Sequence, residues 1–113
     1  MVNCGHRDLS WGLVMASNME TARFLMESRM RDAALGDARA RYDLGVAFSC
    51  GTGGVDIDLI EAHKWFNLAA LVGSEEGQAC RAEIAEEMTA REIAEAQRMA
   101  RAWLVQIAPR AAA

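Results

Sequence analysis

The chain is poor in the residues that build strands, cross-links and membrane spans. Aromatic residues make up only 6% of its 113 positions. Alanine, leucine, methionine, glutamate and arginine dominate where strands would need β-branched and aromatic residues in alternation. Proline occurs once, at Pro109, so almost nothing interrupts helix propagation. No apolar run approaches the roughly 20 residues of a membrane span. The run from Trp11 to Ala16 is too short for a signal peptide and has no lysine- or arginine-rich head before it. Cys4, Cys50 and Cys80 form no C-x-x-C pair and no even framework, so a reducing compartment is the simplest expectation and a cytoplasmic location the default. Lys64 is the only lysine, and the net charge of −4 has the wrong sign for a general nucleic-acid binder.

The composition that remains suits one helical domain spanning residues 1–113. Hydrophobic residues reach 52%, and a chain of this length buries roughly two-thirds of its unfolded surface. Residues 1–9 show no periodicity, and residues 11–15 suggest a short helix. Ser17 and Glu20 read as an S-x-x-E capping box that opens a helix to about Leu35, with Gly36 as its stop. Met15, Met19, Ala22, Met26, Met30 and Ala33 recur on it at helical spacing, as adaptable core filling does. Asp37 caps a helix from Ala38 to about Ser49. There Gly45 costs up to about 1 kcal/mol against alanine, a cost that close approach of a neighbouring helix backbone would offset.

Residues 50–57 read as a glycine-rich turn with Val55 and Ile57 tucked beneath it. Asp58 and Glu61 form a second capping box, and the helix they open is apolar nearly all round. Leu59, Ala62, Phe66, Ala69 and Ala70 lie on one face, Trp65 at its edge, and Ile60, Leu68 and Leu71 opposite. Such a helix belongs between two layers. A helix from about Ser74 to Met88 carries Gly77, Cys80, Arg81, Ile84 and Met88 on its stripe. Thr89 and Glu92 box the last helix, where Ile93, Ala96, Ala100, Trp103, Leu104 and Ile107 face inward. Arg91 and Glu95 sit at i,i+4 on its solvent side, and Pro109 is expected to end it.

The chemistry-bearing residues do not converge. The GTGG stretch has neither the strand before it nor the Lys-Ser/Thr after it that a phosphate loop needs. Cys4 and His6 are two ligands where a metal site wants four. Glu75-Glu76 and Glu86-Glu87 are adjacent on helices, about 100° apart, and cannot share a proton as a dyad does. His63 reads as a hydrogen-bonded boundary residue and Cys80 as a small buried hydrophobe, while Cys50 at a helix end reads as more exposed. No catalytic residue, metal or cofactor is expected.

Repetition is the remaining signal. Gly36 and Gly73, 37 residues apart, each follow an Ala-Ala pair and precede a helix, a solenoid-like period. The central unit resembles the Sel-1-like repeat, a relative of the tetratricopeptide repeat. That family's pattern, A-x-x-x-L-G-x-x-Y, G-x-G-V, D-x-x-x-A-x-x-W and A-A-x-x-G, falls on Ala40, Leu44, Gly45 and Phe48; on Gly51, Gly53 (or Gly54) and Val55; on Asp58, Ala62 and Trp65; and on Ala69, Ala70 and Gly73. Phe48 replaces the usual tyrosine, the turn holds one extra glycine, and the match covers about a third of the chain. The resemblance implies a short α/α solenoid of stacked antiparallel helix pairs. Residues 10–36 would be a degenerate first unit, 37–73 the full repeat, and 74–108 a shortened unit with a C-terminal capping helix. It also implies a non-enzymatic adaptor for other proteins or peptides, with Arg39, Tyr42, Asp43 and Val46 as candidate contacts on the concave face. With so few units, self-association through the Met-rich first helix or the Ile60/Leu68 face is expected as well. Some family members are secreted, carry in-repeat cysteine pairs and have been associated with β-lactam binding or hydrolysis; that regular pairing is absent here.

Overall fold

Two glycines set the architecture. In the structure, a computed structural model that describes Cys4 and residues 19–112, Gly36 and Gly73 take left-handed angles, φ 95° and 98°. The Gly36 N–H donates to the Ala33 carbonyl at 3.0 Å and the Asp37 N–H to Asp32 at 3.1 Å. The same pair recurs as Gly73 to Ala70 at 3.1 Å and Ser74 to Ala69 at 3.0 Å. Both are Schellman stops. In both, the residue after the glycine is also the N-cap of the next helix: Asp37 accepts from the Arg39 and Ala40 amides, and Ser74 from that of Gly77. Stop and start are spliced without a linker.

The described residues form five helices and no strand: α1 Met19–Ala34, α2 Ala38–Cys50, α3 Leu59–Leu71, α4 Glu75–Ala85 and α5 Ala90–Ala112. The protein is all-α. None of these helices is long and apolar enough to cross a membrane. Helix α3 is the centre, packing on α2, α4 and α5, while α1 lies against α2. One core gathers Ala33, Ala40, Leu44, Trp65, Leu68 and Ala100, with Met26, Phe48, Trp103 and Leu104 against it. The other gathers Ala62, Phe66, Cys80 and Ile84, with Tyr42, Val46, Phe48 and Met88. Trp65 and Leu68 thus serve one core while Ala62 and Phe66 serve the other, which is why α3 needs apolar residues on both sides. Leu71, the last residue of that helix, is exposed.

Several local expectations are corrected. Gly45 admits the Phe66 ring rather than a neighbouring backbone: a Cβ there would lie 2.5 Å from Phe66 Cδ1 and Cε1. The backbone approach occurs instead at Gly77, where a Cβ would lie 3.1 Å from the Phe66 carbonyl oxygen and 2.9 Å from the Ala69 Cβ. The Asp58 box is half made. Asp58 accepts from the Ile60 and Glu61 amides, but its own N–H is taken by the Phe48 carbonyl at 2.8 Å. Glu61 is therefore released to bind Lys64 at 3.0 Å and the Trp65 indole N–H at 3.2 Å. The Thr89–Glu92 box is complete, with bonds of 2.8 and 3.1 Å. Glu95 pairs with Arg98, one turn on, and not with Arg91.

Helix α4 ends at Ala85, three residues short of Met88, in a turn of i→i−3 bonds. That turn still delivers Met88 to the Phe66 core. Helix α5 continues through Pro109 to Ala112. Proline has no N–H to offer the residue four back, and that residue, Val105, is exposed. Ile57 is exposed rather than tucked away and covers Gly51 from outside. The expected helix at residues 11–15 and the Ser17 cap lie outside the described residues.

Candidate functional site

The splice at Gly73 places the start of α4 beside the start of α2. Between them lies a groove of about 310 Å³ lined by Ala38, Arg39, Tyr42, Gly73, Ser74, Glu75 and Glu76. Arg39 projects at its rim, its Nε 3.1 Å from Asp43 Oδ1 and its guanidinium 5.5 Å from the centre of the Tyr42 ring. The Arg39 side chain is 72% exposed, so the pair is worth at most about 1 kcal/mol and is easily exchanged for another partner. The Tyr42 ring forms the groove wall and rests on Phe66, centroids 5.7 Å apart. Burial, then the neighbouring Cys80 thiol, pushes the Tyr42 phenol above its ordinary pKa. It stays a neutral donor at physiological pH.

Of the four residues named from sequence, the structure brings Arg39 and Tyr42 into the groove and ties Asp43 to Arg39. It turns Val46 inward onto the second core. Sequence reasoning missed Ser74, Glu75 and Glu76. They join the site through the Gly73 turn, and the only local sign was the N-cap at Ser74, which speaks for a helix start and not for a groove.

Among the described residues, three basic side chains (Arg41, His63 and Lys64) are buried, and each has a structural setting. Arg41, 4% exposed, donates from Nε to the Ala33 carbonyl and from Nη1 to that of Leu68, both at 3.0 Å. Its guanidinium also lies 5.1 Å from the Trp103 ring centre. These carbonyls sit in the last turns of α1 and α3, where helices leave acceptors unpaired and attract positive charge. Burial lowers the Arg41 pKa from its ordinary value, though an arginine remains charged. Lys64 covers the Trp65 ring at 4.5 Å while paired to Glu61. His63 is buried rather than at the boundary, and its Nδ1 has no hydrogen-bond partner. Burial, and secondarily the nearby Arg81, lowers its pKa. Arg81 itself donates to the Asn67 side-chain oxygen.

The cysteines are also rearranged relative to expectation. Cys4 and Cys50 form a disulfide, Cα atoms 5.5 Å apart, and Cys50 is buried at 3% exposure. Cys80 is a buried free thiol. Among the described residues no three His, Cys, Asp or Glu side chains converge as a metal site would require. The groove is lined by one arginine, one tyrosine, one serine and two glutamates, besides Ala38 and Gly73. Comparison of the chain with the models of known families, with curated proteins and with solved structures finds no match.

Proposed function

We propose that the chain is a small protein-interaction module of Sel-1-like α/α repeat type, without catalysis, that receives a segment of another protein in the groove between α2 and α4. The observation that carries the reading is the repeated splice. Gly36–Asp37 and Gly73–Ser74 make the same bonds 37 residues apart, which supports reading α2 and α4 as first helices of successive units, with the groove between them where a solenoid would offer its binding surface. Tyr42 supplies a rigid amphipathic wall of the sort that dominates interfaces. Arg39 supplies an exchangeable charge.

Affinity capture from the native source with mass spectrometry, run in parallel on the parent and on an Arg39→Glu/Tyr42→Ala variant, tests this. The expected result is a defined protein retained by the parent and lost by the variant, with an Arg39→Glu single variant, whose exposed side chain supports no core, weakening capture at an unchanged melting temperature. Identical recovery on both would place the contact elsewhere.

Self-association belongs to the same proposal, through α1. Phe24 and Leu25 are 64% and 47% exposed there, whereas Leu68 is fully buried, which removes the Ile60/Leu68 route. Light scattering at rising concentration checks it, and a strict monomer at high concentration refutes that part.

A further inference from the structure

We infer that this is a disulfide-bonded protein that matures in an oxidising compartment, with Cys4 and Cys50 as its one cross-link and Cys80 held out of the exchange. Cys4 and Cys50 are 46 residues apart in sequence, so their meeting is a product of the fold and not of local chain proximity. The Cα separation of 5.5 Å falls in the usual range for a disulfide. Cys50 is the last residue of α2, and its position is fixed by the left-handed Gly51 that ends the helix and by the packing of α2 on α3. Cys80 sits on α4 among Ala62, Phe66 and Ile84, 4% exposed. Burial there pushes its thiol above the ordinary pKa, so it supplies little thiolate to attack a disulfide. Of the three pairings three cysteines allow, the fold makes one and shields the leftover thiol.

The setting of Cys50 separates a structural cross-link from a redox sensor. Sensor cysteines are accessible, with thiolates favoured by a neighbouring cation or a helix N-terminus. Cys50 is buried at a helix C-terminus, where the dipole disfavours an anion, and its close polar neighbour is the Ser49 hydroxyl at 3.7 Å. Structural disulfides persist where the surroundings oxidise thiols. This sets aside the reducing-compartment expectation drawn from cysteine count alone.

The oxidant required is a disulfide, either a protein thiol oxidoreductase or oxidised glutathione. One thiolate of the pair attacks the oxidant's S–S bond and forms a mixed disulfide, releasing one oxidant thiol. The second thiolate then displaces the other oxidant thiol and closes Cys4–Cys50. Two electrons pass to the oxidant, and the two protons lost by the cysteines end on its two thiols.

The test equilibrates the full chain in a reduced/oxidised glutathione buffer set to the ratio of a secretory compartment, then labels it with iodoacetamide and maps non-reduced peptides by mass spectrometry. The expected result is a Cys4–Cys50 linked peptide, no label on the native protein, one label at Cys80 after unfolding, and three after unfolding with reductant. Reductant should also lower the urea midpoint of the parent while leaving a Cys4→Ser/Cys50→Ser variant unchanged. Label on native Cys4 and Cys50, a linkage through Cys80, or a parent midpoint indifferent to reductant would each overturn the inference.

Discussion

Replacing Gly45 by alanine sets two opposed effects against each other. Alanine is the better helix former by up to about 1 kcal/mol, and on propensity alone the variant should gain stability. The added methyl, however, would stand 2.5 Å from two atoms of the Phe66 ring and 3.0 Å from a third, about 1 Å inside normal carbon contact. The ring has no room to retreat. Phe66 is fully buried and Tyr42 packs against it, so α2 and α3 must separate or the ring must leave its rotamer. Overpacking of this kind costs about 1–3 kcal/mol. The expected net is a loss of about 1 kcal/mol, or a fall of about 4–8 °C in melting temperature for a domain near this size. Urea denaturation of Gly45→Ala, Phe66→Leu and the double variant measures it, and the smaller leucine should recover part of the loss as a coupling of about 1 kcal/mol. A Gly45→Ala protein more stable than its parent, or a double variant that is strictly additive, would refute the packing argument.

Three further outcomes follow from the buried groups. Arg41→Met should cost about 1–3 kcal/mol in urea denaturation, because it leaves the Leu68 and Ala33 carbonyls without the donors they now have in a dry site; an unchanged midpoint would show that relief of the charge's burial balances their loss. Trp65→Ala, which removes an indole packed edge-on against Trp103 at 5.0 Å, should cost about 3–5 kcal/mol, and a melt within a degree or two of the parent would contradict that. His63 binds its proton less readily folded than unfolded, so stability is fully present above about pH 6.5 and falls as the pH drops below it. His63→Leu should flatten that slope between about pH 6.5 and 5, above the range where carboxylates titrate, and a variant with the parental slope would point to another group.

The helices and their stops were legible because they rest on local chemistry. Asp37, Asp58 and Thr89 announced helix starts, Gly36 and Gly73 announced stops, and the two-sided apolar pattern of α3 announced its central place. What could not be read depended on competition between partners far apart in sequence. Glu61 had a capping role open to it until Phe48, ten residues before Asp58, took the amide concerned. Arg41 bore no local sign of its role, because only the convergence of two helix ends turns its guanidinium into a shared donor. Cys4 carried no sign of its partner, since a pairing across 46 residues is set by where α2 ends. The groove was half legible: Arg39 and Tyr42 belong to a helix readable by itself, whereas Glu75 and Glu76 arrive by a turn whose direction a one-dimensional pattern does not encode.

The unlinked splices at Gly36–Asp37 and Gly73–Ser74 decide where this chain tolerates a change of length. One residue serves as the tail of one helix and the head of the next, so an extra residue has no slack to absorb it and would rotate everything downstream by about 100°. At the second splice that rotation would carry Cys80 and Ile84 off Phe66, and at the first it would carry Arg41 away from the Ala33 carbonyl. The stretch from Gly51 to Ile57 carries three left-handed glycines and few bonds to the cores, so it is the natural place for insertions. Relatives that differ in length should differ there, so that the spacing from Gly36 to Gly73 varies while Gly36–Asp37 and Gly73–Ser74 each stay joined without an inserted residue.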